Sequence, residues 1–376
     1  MSTEASHAKG LEGIVAAETR LSDVRGEEGT LIYAGYNINE IAGKITFEEV
    51  IHLLHEDRLP NRSELETLKR TLAGYRALPP KIVNLLNGLS KETPPMHALR
   101  TGISALGCFD PRADDADFAT HKQQALKLIA QIPVLTAYFH RIRCGKNIIE
   151  PDPSLGEAAN FLWMLDEEKP GREKEDTMDL CYLLHADHGM NASTFSARVT
   201  IATLSDIYSA ITTAIGTLKG PLHGGANEGV IKMLKEIGSP DKVDAYVENA
   251  LANKQKIMGI GHRVYKTLDP RAPHLRVMAQ KLSSKIGQPK WIEMSDRIAK
   301  LMLERKSLNA NVDFYSATVY YSLGIPTDLF TPIFAIARTA GWTAHVLEQL
   351  SNNRLIRPQS RYIGPVGLTV KPLDQR

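Results

Sequence analysis

Cysteine is scarce in this sequence. Cys108, Cys144 and Cys181 are the only three, and they lie 36 and 37 residues apart. That spacing makes neither a paired Cys-x-x-Cys site nor a disulfide framework, and a reducing cytoplasm is the expected home. A charge excess is also missing, since 45 Lys and Arg balance 43 Asp and Glu to a net +2. A dedicated nucleic-acid binder needs a clear basic excess on one face. Long apolar runs are absent too. The longest stretch free of Asp, Glu, Lys and Arg is 14 residues, Phe314 to Thr327, whereas a spanning helix needs about 20. The first ten residues carry Glu4, His7 and Lys9 with no apolar centre, so no secretory signal is expected there.

Several catalytic motifs are missing as well. There is no HExxH, no EF-hand loop and no dinucleotide glycine fingerprint. Gly43-Lys44 and Gly145-Lys146 are the only Gly-Lys pairs, and neither is followed by Ser or Thr, so there is no P-loop. Redox chemistry, nucleotide hydrolysis and zinc hydrolysis all lose support.

What is present is helical periodicity. Phe47, Val50, Ile51 and Leu54 recur at the spacing of one helix face. Thr46 with Glu49 reads as a capping box, and Ser63 with Glu66 and Ser154 with Glu157 repeat the pattern. Thr331-Pro332 and Ser239-Pro240 read as helix starts, and Gly220 and Gly238 as stops. Thr200 to Leu218 reads as one buried helix, because Asp206 and Ser209 interrupt any alternation. Strand signals are weak, with no Asn-Gly hairpin and no series of short strands. The expected fold class is all-α. At about 150 residues per domain, the length suggests two or three domains. Gly220 to Gly229 holds four glycines and a proline, a lysine-rich stretch runs on to about Asn309, and an apolar, aromatic stretch follows. This pattern suggests a second unit inserted into a larger one, and clefts between domains favour small molecules.

Three histidines sit in turns that glycine or polar residues make special. His188 lies in HADHGMN, His223 in GPLHGGAN and His262 in GIGHRVY. Glycines let the backbone approach a ligand closely. A helical pattern starts a few residues after His223, and the positive end of a helix disfavours an imidazolium. A neutral imidazole there can donate a hydrogen bond to a carbonyl that is becoming an enol. An incidental histidine in a glycine hinge is the plainer alternative. His185 and His188 could share a metal, but no third ligand is apparent. Asp313 stands at the edge of the apolar run, where desolvation raises a carboxyl pKa and makes a better base; an ordinary helix N-cap is its alternative. Arg338 lies in an apolar helix and should meet a carboxylate of protein or ligand. Arg271 and Arg357 taken alone read as surface charge. Lys254, Lys256 and Lys266 crowd the His262 turn, either as a solvated face or as a phosphate clamp.

Taken together, the chain resembles the citrate synthase family in its short form. The resemblance runs from about Gly10 to Pro365. It is strongest in Leu184–Ser193, Gly220–Asn227, Ile257–Arg271, Asn311–Ser316 and Ala337–Gln359. It implies an all-α homodimer with a large domain, 1–224 and 329–376, and an inserted small domain, 225–328. It implies an acyltransferase of the tricarboxylic acid cycle that condenses acetyl-CoA with oxaloacetate. Asp313 would take a methyl proton, His223 would stabilise the enol and His262 would protonate the oxaloacetate keto oxygen. His188, Arg271, Arg338 and Arg357 would hold oxaloacetate, with Arg357 reaching in from the other subunit. Lys256, Ile257, Met258, Gly259 and Gly261 match the adenine loop, with Lys266 and Lys306 near phosphates. No metal, nicotinamide or permanently bound cofactor is implied, because CoA is substrate and product. No nucleic-acid or membrane partner is implied. The extra N-terminal domain of NADH-inhibited hexamers has no counterpart, so that inhibition is not expected. 2-Methylcitrate synthase, using propionyl-CoA, shares the same residues. A non-catalytic helical dimer that binds CoA or an acidic metabolite is the alternative of another class, and a basic nucleic-acid module rests only on the lysine cluster.

Overall fold

The computed structural model describes residues 8–376, so Glu4 and His7 lie outside the described residues. α-Helices form the body of the chain, as expected. One small sheet departs from the reading of weak strand signals. Ser22–Arg25 (β1), Thr30–Tyr33 (β2) and Tyr36–Asn37 (β3) pair antiparallel in the order β1-β2-β3. Val24 stands opposite Leu31 in the first pair. Each strand spans four residues or fewer, too few for alternation to stand out. The β1–β2 turn runs from Gly26 to Gly29 and lacks the Asn-Gly signature. What makes β2 a strand is packing, since Leu31 and Tyr33 are fully buried.

Helix starts follow local chemistry. Thr46 and Glu49 form the expected capping box for Phe47–Glu56. The next box is Asn61 with Glu64, two residues before the expected pair. Asparagine caps as well as serine does, and Asn61 Oδ1 accepts the Glu64 N–H at 3.0 Å. Ser154 does not cap the helix Glu157–Asp166. Its hydroxyl binds Asp152 at 2.6 Å, Gly156 is the cap, and Glu157 is buried against Arg76. Thr200–Leu218 is two helices, Ala192–Ile201 and Ile207–Leu218. Leu204 turns left-handed between them (φ +64°), and Asp206 caps the second by accepting the Ser209 N–H at 2.8 Å. The polar pair that broke the alternation is therefore a helix start. The last long helix begins at Phe330, ahead of Thr331-Pro332, and Thr331 donates instead to Glu228 at 2.6 Å.

That helix, Phe330–Ser351, is the centre of the core. Every residue from Phe330 to Leu347 is buried. A helix apolar on all sides must be surrounded. Phe47–Glu56, Phe118–Arg143, Arg172–His185, Ala192–Ile201 and Ile207–Leu218 surround it. No helix among the described residues is long and apolar enough to cross a membrane. Gly341 marks the closest approach to the His188 turn. A Cβ there would lie 2.4 Å from the Ala186 carbonyl oxygen, which accepts the Gly341 N–H at 3.1 Å.

A second group of helices packs chiefly on itself. Its members are Ala226–Ile237, Val243–Ala252, Ala272–Lys285, Lys290–Lys306 and Val312–Ser322. The β1–β2 hairpin joins this group to the first. On one side, Ser22 Oγ donates to the buried Asp187 carboxylate and accepts the Gly189 N–H at 2.9 Å. On the other side, the Gly26 carbonyl accepts the Lys266 N–H at 3.0 Å.

Candidate active site

His188 ends the short turn after helix Arg172–His185. Asp187 anchors that turn. It is fully buried and also takes a contact from His345 Nε2 at 3.3 Å. His188 is 9% exposed. Its Nε2 lies 3.2 Å from the Tyr265 hydroxyl, and its ring centre is 5.2 Å from that of His262. Burial first, then the Arg271 charge, pushes its pKa well below the ordinary histidine value. His185 belongs to the core instead, with Nδ1 on the Cys181 carbonyl at 2.8 Å. Among the described residues, no cluster of three His, Cys, Asp or Glu side chains could hold a metal.

His223 lies three residues before helix Ala226–Ile237, where the glycine pattern placed it. The Ser193 N–H points at its Nε2 at 3.3 Å, and the Ser193 hydroxyl lies 2.8 Å away. A nitrogen that accepts carries no proton, so the neutral ring holds its proton on Nδ1. Burial, reinforced by Arg338, lowers its pKa to about 4.

His262 has the opposite tautomer. Its Nδ1 accepts the N–H groups of Val264 and Tyr265 at 3.0 and 3.1 Å, which leaves the proton on Nε2. Burial and then Arg271 lower its pKa to about 4. Gly259 and Gly261 supply the turn, with φ +74° and +82°. A Cβ on Gly259 would meet Val230 Cγ2 at 2.7 Å and Phe314 Cα at 3.0 Å, so glycine is required there.

Asp313 is the second residue of helix Val312–Ser322, and Asn311 is the cap. Asn311 Oδ1 accepts the Asp313 N–H at 3.0 Å, while its Nδ2 donates to the Gly261 carbonyl at 2.8 Å. One side chain thus ties the carboxylate's helix to the His262 turn. Asp313 Oδ1 is buried with no hydrogen-bond partner among the described residues. Burial raises the carboxyl pKa to about 7, against the opposing pull of Arg271 and Arg338.

The arginines frame the same space. Arg271 is buried and not the surface charge it suggests when read alone. Asp269, two residues back, grips it through Nε at 2.9 Å and Nη2 at 2.8 Å. Arg338 meets no carboxylate among the described residues. Its Nε donates to the His185 carbonyl at 2.7 Å, and it lies 4.7 Å from the centre of the Phe334 ring. Burial lowers its pKa to about 10. Arg357 is not brought to this group. It lies exposed beyond helix Phe330–Ser351. Lys254, Lys256, Lys266 and Lys306 are exposed, Ile257 is buried and Met258 half-buried. A cavity of about 290 Å³ opens beside His262 and Tyr265, with Asp269 in its wall and Lys266 and Asn309 along it.

The family model "Citrate synthase, C-terminal domain" matches residues 10–359. The chain belongs to the citrate synthase family. It is 50% identical to citrate synthase 2 of Bacillus subtilis (strain 168), over 98% of this chain and 99% of that one. It is 42% identical to a citrate/2-methylcitrate synthase of the same organism, over 97% and 98%. It is also similar to a solved citrate synthase of Thermoplasma acidophilum in ternary complex with carboxymethyl coenzyme A and oxaloacetate. There the TM-score is 0.93 and the identity 33%, covering 99% of this chain and all of that one. Family membership makes this chain an enzyme, a transferase of the citrate synthase type.

Three residues of this group escaped the sequence reading. Ser193 holds His223 and also accepts the Trp342 indole N–H at 3.1 Å. Tyr265 touches both His188 and His262. Asp269 fixes Arg271 and accepts the Val312 N–H at 3.0 Å. Only Asp269 left a signal, an acid two positions before a buried arginine.

Proposed function

We propose that Asp313, His223 and His262 form and trap the enol of acetyl-CoA in this chain. A thioester methyl is a weak acid, so its removal needs a base and a stabiliser together. Asp313, desolvated and with one oxygen unpartnered, is the base. His223 offers its Nδ1 proton to the thioester oxygen, a type of donation worth about 2.7–4 kcal/mol elsewhere. The enol carbon attacks the keto carbon of oxaloacetate. His262 gives its Nε2 proton to the oxygen that becomes alkoxide, and water then hydrolyses citryl-CoA to citrate and CoA. The opposite hydrogen-bonding of the two rings carries this reading, with Nε2 of His223 and Nδ1 of His262 each facing backbone N–H groups, since each pattern leaves one donor free.

Oxaloacetate brings two carboxylates, and the groups that match them are the charged Arg271 and Arg338 and the neutral His188 ring, with Arg357 from a second subunit. Bidentate arginine contacts would fix the keto carbon for attack. The self-packing helices between residues 225 and 328 support a small domain there, closing on a large domain, 1–224 and 329–376, to exclude water. The Lys256–Gly261 turn, Lys266 and Lys306 are the proposed contacts for CoA, which enters as substrate and leaves as product. The tail after Ser351 favours a homodimer, because it exposes Leu355, Tyr362, Ile363 and Val366. A cytoplasmic place in the tricarboxylic acid cycle fits the chemistry.

Relatives named for 2-methylcitrate give propionyl-CoA a claim as acyl donor. One methylene shifts selectivity by only about 1–3 kcal/mol. Oxaloacetate-dependent thiol release, measured with each donor, decides. Acetyl-CoA is expected to have the higher kcat/KM. A preference above tenfold for propionyl-CoA would reassign the chain, and no release from either donor would leave a binding protein.

A further inference from the structure

Tyr265 lies among exposed neighbours, Arg263, Val264, Lys266 and Thr267, yet is itself 3% exposed. Its ring centre is 4.7 Å from that of His262 and 5.5 Å from that of His188. Its backbone N–H helps to fix the His262 tautomer. Its hydroxyl makes one side-chain hydrogen bond among the described residues, at 3.2 Å to His188 Nε2. That is also the one hydrogen bond of the His188 ring. His188 Nδ1 has no partner among the described residues, yet it is not one of the sealed polar atoms of the core, as His185 Nε2 is. It therefore faces open space within the site.

Two proton arrangements satisfy the contact. If His188 Nε2 donated to the phenol oxygen, Nδ1 would present a lone pair within the positive field of Arg271 and Arg338. An anion drawn there by the arginines would meet that lone pair and be repelled. If the phenol donates to Nε2, Nδ1 carries the proton and becomes a third donor beside the two arginines. The second arrangement also gives the buried phenol hydrogen an acceptor.

We propose that Tyr265 is a positioning residue: its hydroxyl donates to His188 Nε2 and holds the His188 proton on Nδ1, facing a substrate carboxylate. The inference rests on the reading of this site as one for a dicarboxylate keto acid. Tyr265 and His188 lie 77 positions apart, on opposite sides of the proposed domain division. The hydrogen bond therefore bridges that division and completes the donor set for the anion.

The test has two arms. Long-range ¹H–¹⁵N spectra of the full-length protein, labelled at histidine and free of substrate, read the His188 tautomer directly, with His188→Gln to assign the signal. Nδ1 is expected protonated and Nε2 bare, and a proton on Nε2 overturns the proposal. This arm stands whether or not the chain makes citrate. In the second arm, Tyr265→Phe keeps the ring against His262 and removes only the hydroxyl. The oxaloacetate KM should rise about 3- to 10-fold, the worth of one lost hydrogen bond, with kcat within about twofold. An unchanged KM, or a fall in kcat alone, contradicts the assignment.

Discussion

At Asp313, burial both makes a base and costs stability. The folded pKa of about 7 lies above the ordinary 3.8, so folding favours the protonated acid. That stability is fully present below the unfolded pKa and is lost as pH rises through 7. Each unit is worth about 1.4 kcal/mol. Asp313→Asn should therefore be more stable than the wild type, by a margin that widens to a few kcal/mol between pH 5 and pH 8. Thermal unfolding at the two pH values checks this, and a constant margin would contradict it. The same pKa governs turnover. A base must be deprotonated to act, so kcat/KM for acetyl-CoA should fall with unit slope below pH 7. His223 and His262, neutral down to about pH 4, should add no second break above pH 5 in the measured profile. The glycine-flanked histidines were legible in the sequence because glycine announces an unusual backbone. The burial of Arg271 was not, because it comes from elements packed around it rather than from its neighbours in the chain.

Among the elements, the long helices were legible wherever apolar spacing repeats, as at Phe47–Leu54. Their starts were less so. Asn61 rather than Ser63 caps its helix, because several polar residues compete and only the backbone decides which side chain reaches the free N–H groups. The hairpin was illegible, since its strands are short and held by Asp187 and Lys266, which are distant in sequence. It also yields a test. A Cβ on Gly26 would lie 2.2 Å from the Val264 carbonyl oxygen, so Gly26→Ala must push the His262–Lys266 segment away. Overpacking of this kind costs about 1–3 kcal/mol, and kcat/KM should fall with it. Gly74, near the end of helix Arg62–Tyr75, has room for a methyl group, with nothing within 4 Å of where a Cβ would stand and no positive φ. Gly74→Ala should raise stability by up to about 1 kcal/mol. Chemical denaturation of the pair, alongside activity, separates a local clash from a general intolerance of alanine.

For the whole molecule, one chain brings together six of the seven proposed catalytic and oxaloacetate residues and leaves Arg357 on an exposed tail. The exposure of that tail was not visible in the sequence, because exposure depends on what else covers it. If Arg357 completes a neighbour's site, two inactive variants should rescue each other. Mixed dimers of Arg357→Leu and Asp313→Ala each contain one intact site, and random pairing should restore roughly a quarter of wild-type activity. Unfolding and refolding the mixture, then assaying thiol release, gives the answer, and no recovery would place Arg357 outside the site. The claim beneath all of this is that Asp313 takes the methyl proton. Asp313→Ala, assayed for oxaloacetate-dependent thiol release and by calorimetry for oxaloacetate binding, tests it most directly. Turnover should drop by at least about 10²- to 10⁴-fold with binding nearly intact; turnover that survives the substitution would contradict the assignment.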